Sequence, residues 1–215
     1  YVSKNWGEAR FREQPESDST MDDIEAMLTV NREQIGFIPE EKGGDVAGAL
    51  IVVDKDQDTG KELRIDCTKF GSGAYSVPSS CEHLKFETKA KFVLAIETSG
   101  MFERLNKHNY WKKANCIIIS MGGVPTRACR RFVRMMADQM KLPVYVFPDG
   151  DPYGFGSIYR TLKVGSGNAA HINEFFCVPQ AIFLGVTPQD IIDYKLPTHP
   201  LKEVDVKIKI SLGYH

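Results

Sequence analysis

The sequence lacks several features that assign chains to common classes. No stretch reaches the ~18 uninterrupted apolar residues of a membrane-spanning helix, and no signal-peptide pattern opens the chain. The five cysteines are scattered, odd in number and without a C-x-x-C pair, so neither a disulfide framework nor a zinc site is indicated. No G-x-x-x-x-G-K-S/T loop for ATP occurs. We therefore expect a cytoplasmic protein with reduced cysteines.

Neither sign of charge is in excess. The chain has 27 basic and 28 acidic residues, which excludes a generally cationic nucleic-acid coat, so any DNA binding must use a local patch. Four arginines recur at i, i+3, i+4 and i+7 in TRACRRFVRMMADQM and predict one stripe of a helix: Arg127, Arg130, Arg131 and Arg134. A solvated face that pairs with Asp138 and nearby acids explains the same spacing equally well.

The chain divides near Gly43 and Gly44. Before this point, SDSTMDDIEAMLTVNREQIGFIP predicts an amphipathic connecting helix with cap candidates at Ser17 to Ser19. Its predicted apolar face consists of Ile24, Met27, Leu28 and Ile35.

After this point, GALIVVDKD and ELRIDCTKF predict a β-hairpin around DQDTGK. Asp54, Asp56, Asp58 and Gly60 superficially resemble a calcium loop. The glycine stands one place late, and strands rather than helices flank the loop, so a solvated turn is the favoured interpretation.

From Lys91 onward, apolar strand-like runs alternate with helical patterns. Strands are predicted at 91–96, 116–120, 143–148 and 181–186, with helices at 100–114, 126–141 and 155–163. This alternation is typical of a right-handed, mostly parallel sheet that is covered on both faces.

Acidic residues follow two of these strands. Glu97 ends the strand in KFVLAIETSGMF, and Asp149 and Asp151 end the strand in VYVFPDGDPYGF. Because parallel strands present their carboxyl ends along one sheet edge, we expect the three carboxylates to converge there. They would repel one another without a cation, and Mg²⁺ is a hard cation that also binds phosphate. Two acidic loops that cap helices are the alternative.

Four stretches carry a resemblance to a known family. They are RFREQPESDSTMDDIE, IDCTKFGSGAYSVPS, GGVPTRACRRF and DGDPYGFGSIYRTLKVGS, of which the last is highly specific. The strands that end in the acids and in a glycine pair resemble the Toprim domain of topoisomerases, primases and related nucleases. Nearly the whole chain is similar to the A subunits of the topoisomerase VI family, the archaeal type IIB enzymes, and to their relatives that make meiotic double-strand breaks.

The resemblance implies the fold and the domains. It implies an α/β fold in which helices flank a Toprim-type, mostly parallel sheet, with an N-terminal helical linker and a β-hairpin extension. Residues 1–42 would be the end of a winged-helix DNA-cleavage domain and its connecting helix, and residues 43–215 the Toprim metal-binding domain with the hairpin. Since the rest of the winged helix is absent from this sequence, we expect the isolated chain not to cleave DNA.

The resemblance also implies site residues. Tyr1 takes the place of the attacking tyrosine, just before a segment like VSKNWGEARF; an arbitrary chain start is the alternative. Asp149 and Asp151 would hold Mg²⁺ on the DNA phosphates, and Glu97 would complete the metal site or shuttle a proton. Contacts to DNA are expected from three arginines: Arg127, Arg130 and Arg131.

The function implied by this resemblance is Mg²⁺-dependent double-strand cleavage and religation of DNA through a 5′-phosphotyrosyl intermediate. Two A subunits would pair, and ATP use would fall to a separate B subunit of the GHKL type in an A2B2 assembly. Two alternatives stay open. One is a meiotic break-making relative that cuts without routine strand passage. The other is a non-catalytic Toprim module for dimerisation and DNA docking.

Overall fold

Two β-sheets organise the chain in the computed structural model, which describes residues 10–38, 41–165 and 167–211. The larger sheet contains, in spatial order, β4 (Tyr75–Ser76), β1 (Asp45–Gly48), β7 (Ile117–Ser120), β6 (Val93–Ile96), β8 (Val144–Phe147) and β9 (Ile182–Phe183). β7, β6, β8 and β9 are parallel, whereas β1 is antiparallel to both β7 and β4. The predicted mostly parallel sheet is confirmed.

The smaller sheet contains the predicted hairpin. Its strands are β2 (Leu50–Lys55), β3 (Glu62–Asp66) and β5 (Lys85–Thr88), with β2 paired antiparallel to both neighbours. In the turn, Oδ1 of Asp56 accepts hydrogen bonds from the backbone N–H groups of Asp58 and Thr59, at 3.2 and 2.7 Å. The Asp56 carboxylate therefore closes the turn, in agreement with the turn interpretation.

Helices cover both faces of the larger sheet. The α-helices are α1 (Gln14–Leu28), α2 (Ser99–Lys107), α3 (Tyr110–Ala114), α4 (Arg127–Met140), α5 (Arg160–Lys163), α6 (Asn173–Phe176), α7 (Pro188–Asp193) and α8 (Glu203–Ser211). A π-helical segment, Gly154–Tyr159, leads into α5, and a 3-10 helix spans Gly167–Ile172. In the described ranges no helix combines the length and the apolar character needed to cross a bilayer.

One predicted helix is divided. The sequence predicts a single helix over 100–114, but the chain breaks it between α2 and α3 at Asn109, whose φ is +52°. Asparagine tolerates this left-handed conformation better than most residues do, so the backbone changes direction there.

The core explains why the central strands are apolar throughout. Every residue of β6 and β7 except Ser120 is apolar, and all eight are buried. Val93 and Ile117 pack on the face that contains Phe132 of α4, whereas Leu94 packs on the face that contains Phe102 of α2. Because both faces are covered, successive side chains are apolar and the strands lack polar alternation. The carboxyl ends of these strands are held by packing from both sides.

The connecting helix departs from its predicted orientation. α1 begins at Gln14, before the predicted caps, and Pro15 suits its first turn. Its buried positions are Ser17, Met21 and Glu25. Met27 and Leu28 of the predicted apolar face are instead 84% and 55% exposed. The predicted caps and apolar face are therefore wrong, because the helix begins earlier and buries a face that contains the charged Glu25.

Candidate metal centre at the carboxyl edge of the sheet

Glu97 joins the ends of three strands. Its backbone N–H donates to the carbonyl of Phe147 at 3.2 Å, and its carbonyl accepts from the N–H of Gly123 at 3.0 Å. Its side chain turns to the loop after β8, where Oε2 accepts a hydrogen bond from the backbone N–H of Asp149 at 2.9 Å. Glu97 and the loop that carries the two aspartates are therefore in direct contact, as the positions of the acids in the sequence predict.

Asp151 is held by the helix that follows it. Its Oδ1 accepts a 2.6 Å hydrogen bond from the backbone N–H of Gly154, at the start of the π-helical segment. A Cβ atom on Gly154 would overlap the carbonyl oxygen of Asp149 and lie 3.2 Å from Oε2 of Glu97. Only glycine lets the helix start approach the acidic loop this closely.

The electrostatics of these acids favour a bound cation. Burial raises the pKa of Glu97; the hydrogen bond from Asp149 opposes this, and the charges of Asp149 and Asp151 raise the pKa further. Burial, and then the charge of Asp151, raise the pKa of Asp149. Within the described ranges no salt bridge includes any of the three carboxylates.

These observations fit a hard divalent cation. The three side chains offer oxygen atoms only, which are the ligands that Mg²⁺ prefers, and their mutual repulsion would fall on binding it. Assignment of Glu97, Asp149 and Asp151 as the ligands stays a prediction.

A cavity of about 790 Å³ opens beside the acidic loop. Asp149, Gly150 and Asp151 line one part of it, and the segment Leu196–Lys202 lines another. This volume lies within the ~300–1,000 Å³ typical of small-molecule sites.

Arg127 is bound to acids from another part of the chain. Its Nη2 donates to Oε1 of Glu25 at 2.6 Å, and its Nε donates to Oε1 of Glu33 at 2.8 Å. Arg32 also donates to Glu25, through its backbone N–H at 2.7 Å and through Nη2 at 2.9 Å. We refer to Glu25, Glu33, Arg32 and Arg127, with Asp22, as the α1–α4 ion network.

A potential metal-ligand group overlaps this network. In the described part of the chain, Asp22, Glu25 and His171 place possible ligand atoms within 4.8 Å of one another. Arg32 bridges Asp22 and Glu25 at 2.7 and 2.9 Å, so guanidinium groups already balance these carboxylates. This arrangement is an ion network, and sequence reasoning missed it because Arg127 lies 102 residues from Glu25 along the chain.

The remaining arginines of the stripe differ in environment. Arg131 binds Glu82 through Nε and Nη2 at 2.7 and 2.6 Å, and Arg134 binds Asp138 at 2.6 Å. Arg130 is 8% exposed, and among the described residues no partner hydrogen-bonds its Nε. The pairing with acids that the sequence left open is thus present at Arg127, Arg131 and Arg134. DNA contact by the arginine stripe stays a prediction.

The predicted nucleophile, Tyr1, lies outside the described residues. The assignment of Tyr1 as the nucleophile stays a prediction.

Two family models match the chain. One, the Toprim domain of the topoisomerase 6 A subunit and Spo11, matches residues 92–213 and contains all three acids. The other, the all-beta domain in the DNA topoisomerase VI alpha subunit, matches residues 40–90 and contains the hairpin sheet. The domain division predicted between residues 42 and 43 stays a prediction.

Curated relatives agree with these matches. The chain is 56% identical over 207 residues to the type 2 DNA topoisomerase 6 A subunit of Methanocaldococcus jannaschii, covering 96% of this chain and 56% of that protein. It is 40% identical over 210 residues to the protein of the same name from Halobacterium salinarum, and 38% over 208 residues to that of Archaeoglobus fulgidus, each time covering 96% of this chain and 57% of the relative. The chain thus spans just over half the length of these relatives.

Proposed function

The chain belongs to the family that contains the topoisomerase VI A subunit and Spo11, and from this premise we propose that it is part of the DNA-cleaving A subunit of a type IIB DNA topoisomerase. The observation that carries the proposal is the contact between Glu97 and the Asp149 loop at the carboxyl edge of the sheet. Among the described residues no salt bridge engages this acidic edge, which supports binding of metal and phosphate. Acids that only cap helices would not need to converge.

We propose that Asp149, Asp151 and Glu97 hold Mg²⁺. When bound there, Mg²⁺ would neutralise negative charge on the DNA phosphate. Glu97 also has a structural role, because its carboxylate accepts a hydrogen bond that fixes the backbone of the Asp149 loop. Burial raises the pKa of Glu97, which favours uptake of a proton by this carboxylate relative to an exposed glutamate.

Tyr1 is the proposed nucleophile. Its phenolate oxygen would form a bond to phosphorus as the bond from phosphorus to the 3′ oxygen breaks. This leaves a 5′-phosphotyrosyl end, and the released 3′ oxygen takes up a proton to become the 3′-hydroxyl. The aryl phosphodiester retains enough free energy for the reverse attack, so the strand can be rejoined.

The proposed assembly contains two A subunits on double-stranded DNA and two B subunits of the GHKL type that hydrolyse ATP. No P-loop motif occurs in the sequence, which agrees with ATP use by a separate subunit. Cytoplasmic location stays a prediction.

The test is covalent trapping of DNA by the full-length A subunit in complex with its B subunit. With Mg²⁺ and nucleotide, denaturant should leave protein attached to DNA 5′ ends, and a Tyr1→Phe variant should attach none. The isolated 215-residue chain should leave supercoiled plasmid uncut. Nicking by the isolated chain would instead indicate a nuclease that activates water, and trapping by Tyr1→Phe would exclude Tyr1 as the nucleophile.

A meiotic break-making relative is the nearest alternative, because one family model covers both kinds of protein. The names of the three relatives favour the topoisomerase. Relaxation of supercoiled DNA that depends on ATP and on the B subunit would support the topoisomerase, and cleavage without relaxation would support the relative.

A further inference from the structure

The cavity beside the acidic loop has two chemically different parts. Asp149 and Asp151 line one, and the segment between α7 and α8 lines the other with Thr198, His199 and Lys202. None of these three residues belongs to the acidic strand ends. They reach the same cavity because the chain returns over the acidic loop after α7.

The segment is anchored at both ends. Leu196 donates its backbone N–H to the carbonyl of Ile191 at 3.0 Å, which ties the start of the segment to α7. The backbone N–H of Lys202 donates to Oδ2 of Asp205 at 3.0 Å, and Asp205 is buried at 6% exposure. Pro197 and Pro200 further restrict the backbone between these anchors. The segment therefore forms a conformationally restricted wall of the cavity.

The charges of this wall complement those of the acidic loop. In the described ranges no salt bridge engages the side chain of His199 or Lys202, although Asp149, Asp151 and Asp205 all line the same cavity. A phosphodiester between the two parts would meet donors on one side and, through a metal, carboxylates on the other. An all-acid cavity would have no direct attraction for phosphate.

We propose that Thr198, His199 and Lys202 form a DNA-phosphate site that faces the acidic loop, with Lys202 as its main positive charge. The site rests on the proposed function, because it takes its ligand to be the backbone of the DNA that the acids would engage. A lysine ammonium suits this role as a point charge on a flexible stem, and the Thr198 hydroxyl and His199 ring supply shorter hydrogen-bond donors.

Salt dependence separates a phosphate contact from a merely structural role. Each phosphate contact to duplex DNA adds about 0.9 to the slope of log affinity against log salt concentration. Loss of one contact should therefore reduce the slope by about 0.9. If the variant and the parent protein bind DNA equally at 1 M salt, the variant should bind about eightfold more weakly at 0.1 M salt.

The experiment uses the full-length A subunit in its complex with B, carrying Tyr1→Phe to prevent cleavage. Fluorescence anisotropy with a fluorescein-labelled duplex of about 40 base pairs and Mg²⁺ is measured across a KCl series for Lys202→Gln, Lys202→Arg and His199→Asn. Lys195→Gln is the matched control, since Lys195 is exposed on the same stretch of chain but does not line the cavity. Melting temperatures with and without Mg²⁺ are recorded for each variant.

Lys202→Gln should lose about 0.9 of slope, Lys202→Arg should restore it, and Lys195→Gln should match the parent protein. His199→Asn should weaken binding severalfold without this loss of slope. The melting temperature and its Mg²⁺-induced rise should stay unchanged in all variants. An unchanged slope and affinity in Lys202→Gln, or a loss equalled by Lys195→Gln, would overturn the site. If the parent protein with Tyr1 intact traps no covalent DNA, the proposed function itself fails, so the two failures are distinguishable.

Discussion

Replacement of Glu25 by glutamine should lower the free energy of unfolding by about 3 kcal/mol. The Glu25 side chain is fully buried and accepts three hydrogen bonds, one from the Arg32 backbone, one from the Arg32 guanidinium and one from the Arg127 guanidinium. Glutamine retains the shape but removes the charge, and its amide group would face N–H donors.

The expected loss of stability depends on the ion pairs that Arg32 and Arg127 retain in the variant. Breaking a buried ion pair costs about 3–5 kcal/mol when one charge is left uncompensated. Arg32 retains Asp22 at 2.7 Å and Arg127 retains Glu33 at 2.8 Å, so we use the lower end of that range. For a chain of this length, about 3 kcal/mol corresponds to a fall of roughly 6–12 °C in melting temperature.

The same substitution should change the pH dependence of stability. Burial alone would raise the pKa of Glu25, but hydrogen bonds from Arg32 and the charges of Arg127 and Arg32 outweigh it and lower the pKa below its usual value. A lowered native pKa means that the ionised carboxylate stabilises the fold above the unfolded pKa near 4.5, and that this stability is lost as pH falls through the native pKa. The difference between wild type and Glu25→Gln should therefore narrow in acid.

Thermal and urea unfolding of the chain, followed by circular dichroism from neutral pH down to about pH 3, would measure both effects. Arg64→Gln is the control, since Arg64 pairs with Glu87 on the surface and both side chains are about half exposed. If Glu25→Gln and Arg64→Gln have equal melting temperatures at neutral pH, the α1–α4 ion network does not stabilise the fold.

Three further predictions concern the acidic edge. Asp149→Asn should leave the fold intact and remove most of the Mg²⁺-induced rise in melting temperature; an identical rise in wild type and variant would contradict the metal site. Glu97→Gln should abolish covalent trapping by the full-length assembly with an almost unchanged melting temperature, because glutamine can still accept the Asp149 hydrogen bond; a large loss of stability would indicate a structural role. Gly154→Ala should destabilise the chain by about 1–3 kcal/mol in urea unfolding, because the added Cβ would overlap the Asp149 carbonyl oxygen. Gly100→Ala is the control, since Gly100 lies on α2 with open space around it and the substitution should not destabilise the chain. Equal effects of the two substitutions would exclude the steric argument.

Local pattern was sufficient to predict the parallel strands of the larger sheet and their acidic edge, but not the antiparallel strands β1 and β4. The apolar runs around 93–96, 117–120 and 144–147 have the length of strands, and the intervening segments have the length and periodicity of helices. Parallel connection then places the carboxyl ends of these strands, and hence Glu97 and Asp149, at one edge of the sheet. This placement could be predicted without knowledge of side-chain contacts. The hairpin was predictable for the same reason, since its turn residues are local.

The orientation of the connecting helix was not predictable from pattern. Its apolar residues suggest one buried face, yet the helix buries Glu25, which binds Arg127 at a separation of 102 residues. A carboxylate with two guanidinium partners can be buried where an unpaired one cannot, and the sequence of the helix alone does not contain its partners.

The sequence by itself determined which segments form the parallel strands and at which edge of the sheet the acids meet. Both follow from residue type and spacing within successive strands and helices. Only the tertiary structure decided which arginines are paired with carboxylates, that Gly154 must lack a side chain, and that Lys202 shares a cavity with Asp149. These features depend on distances between residues remote along the chain, and such distances are set by packing of the whole fold.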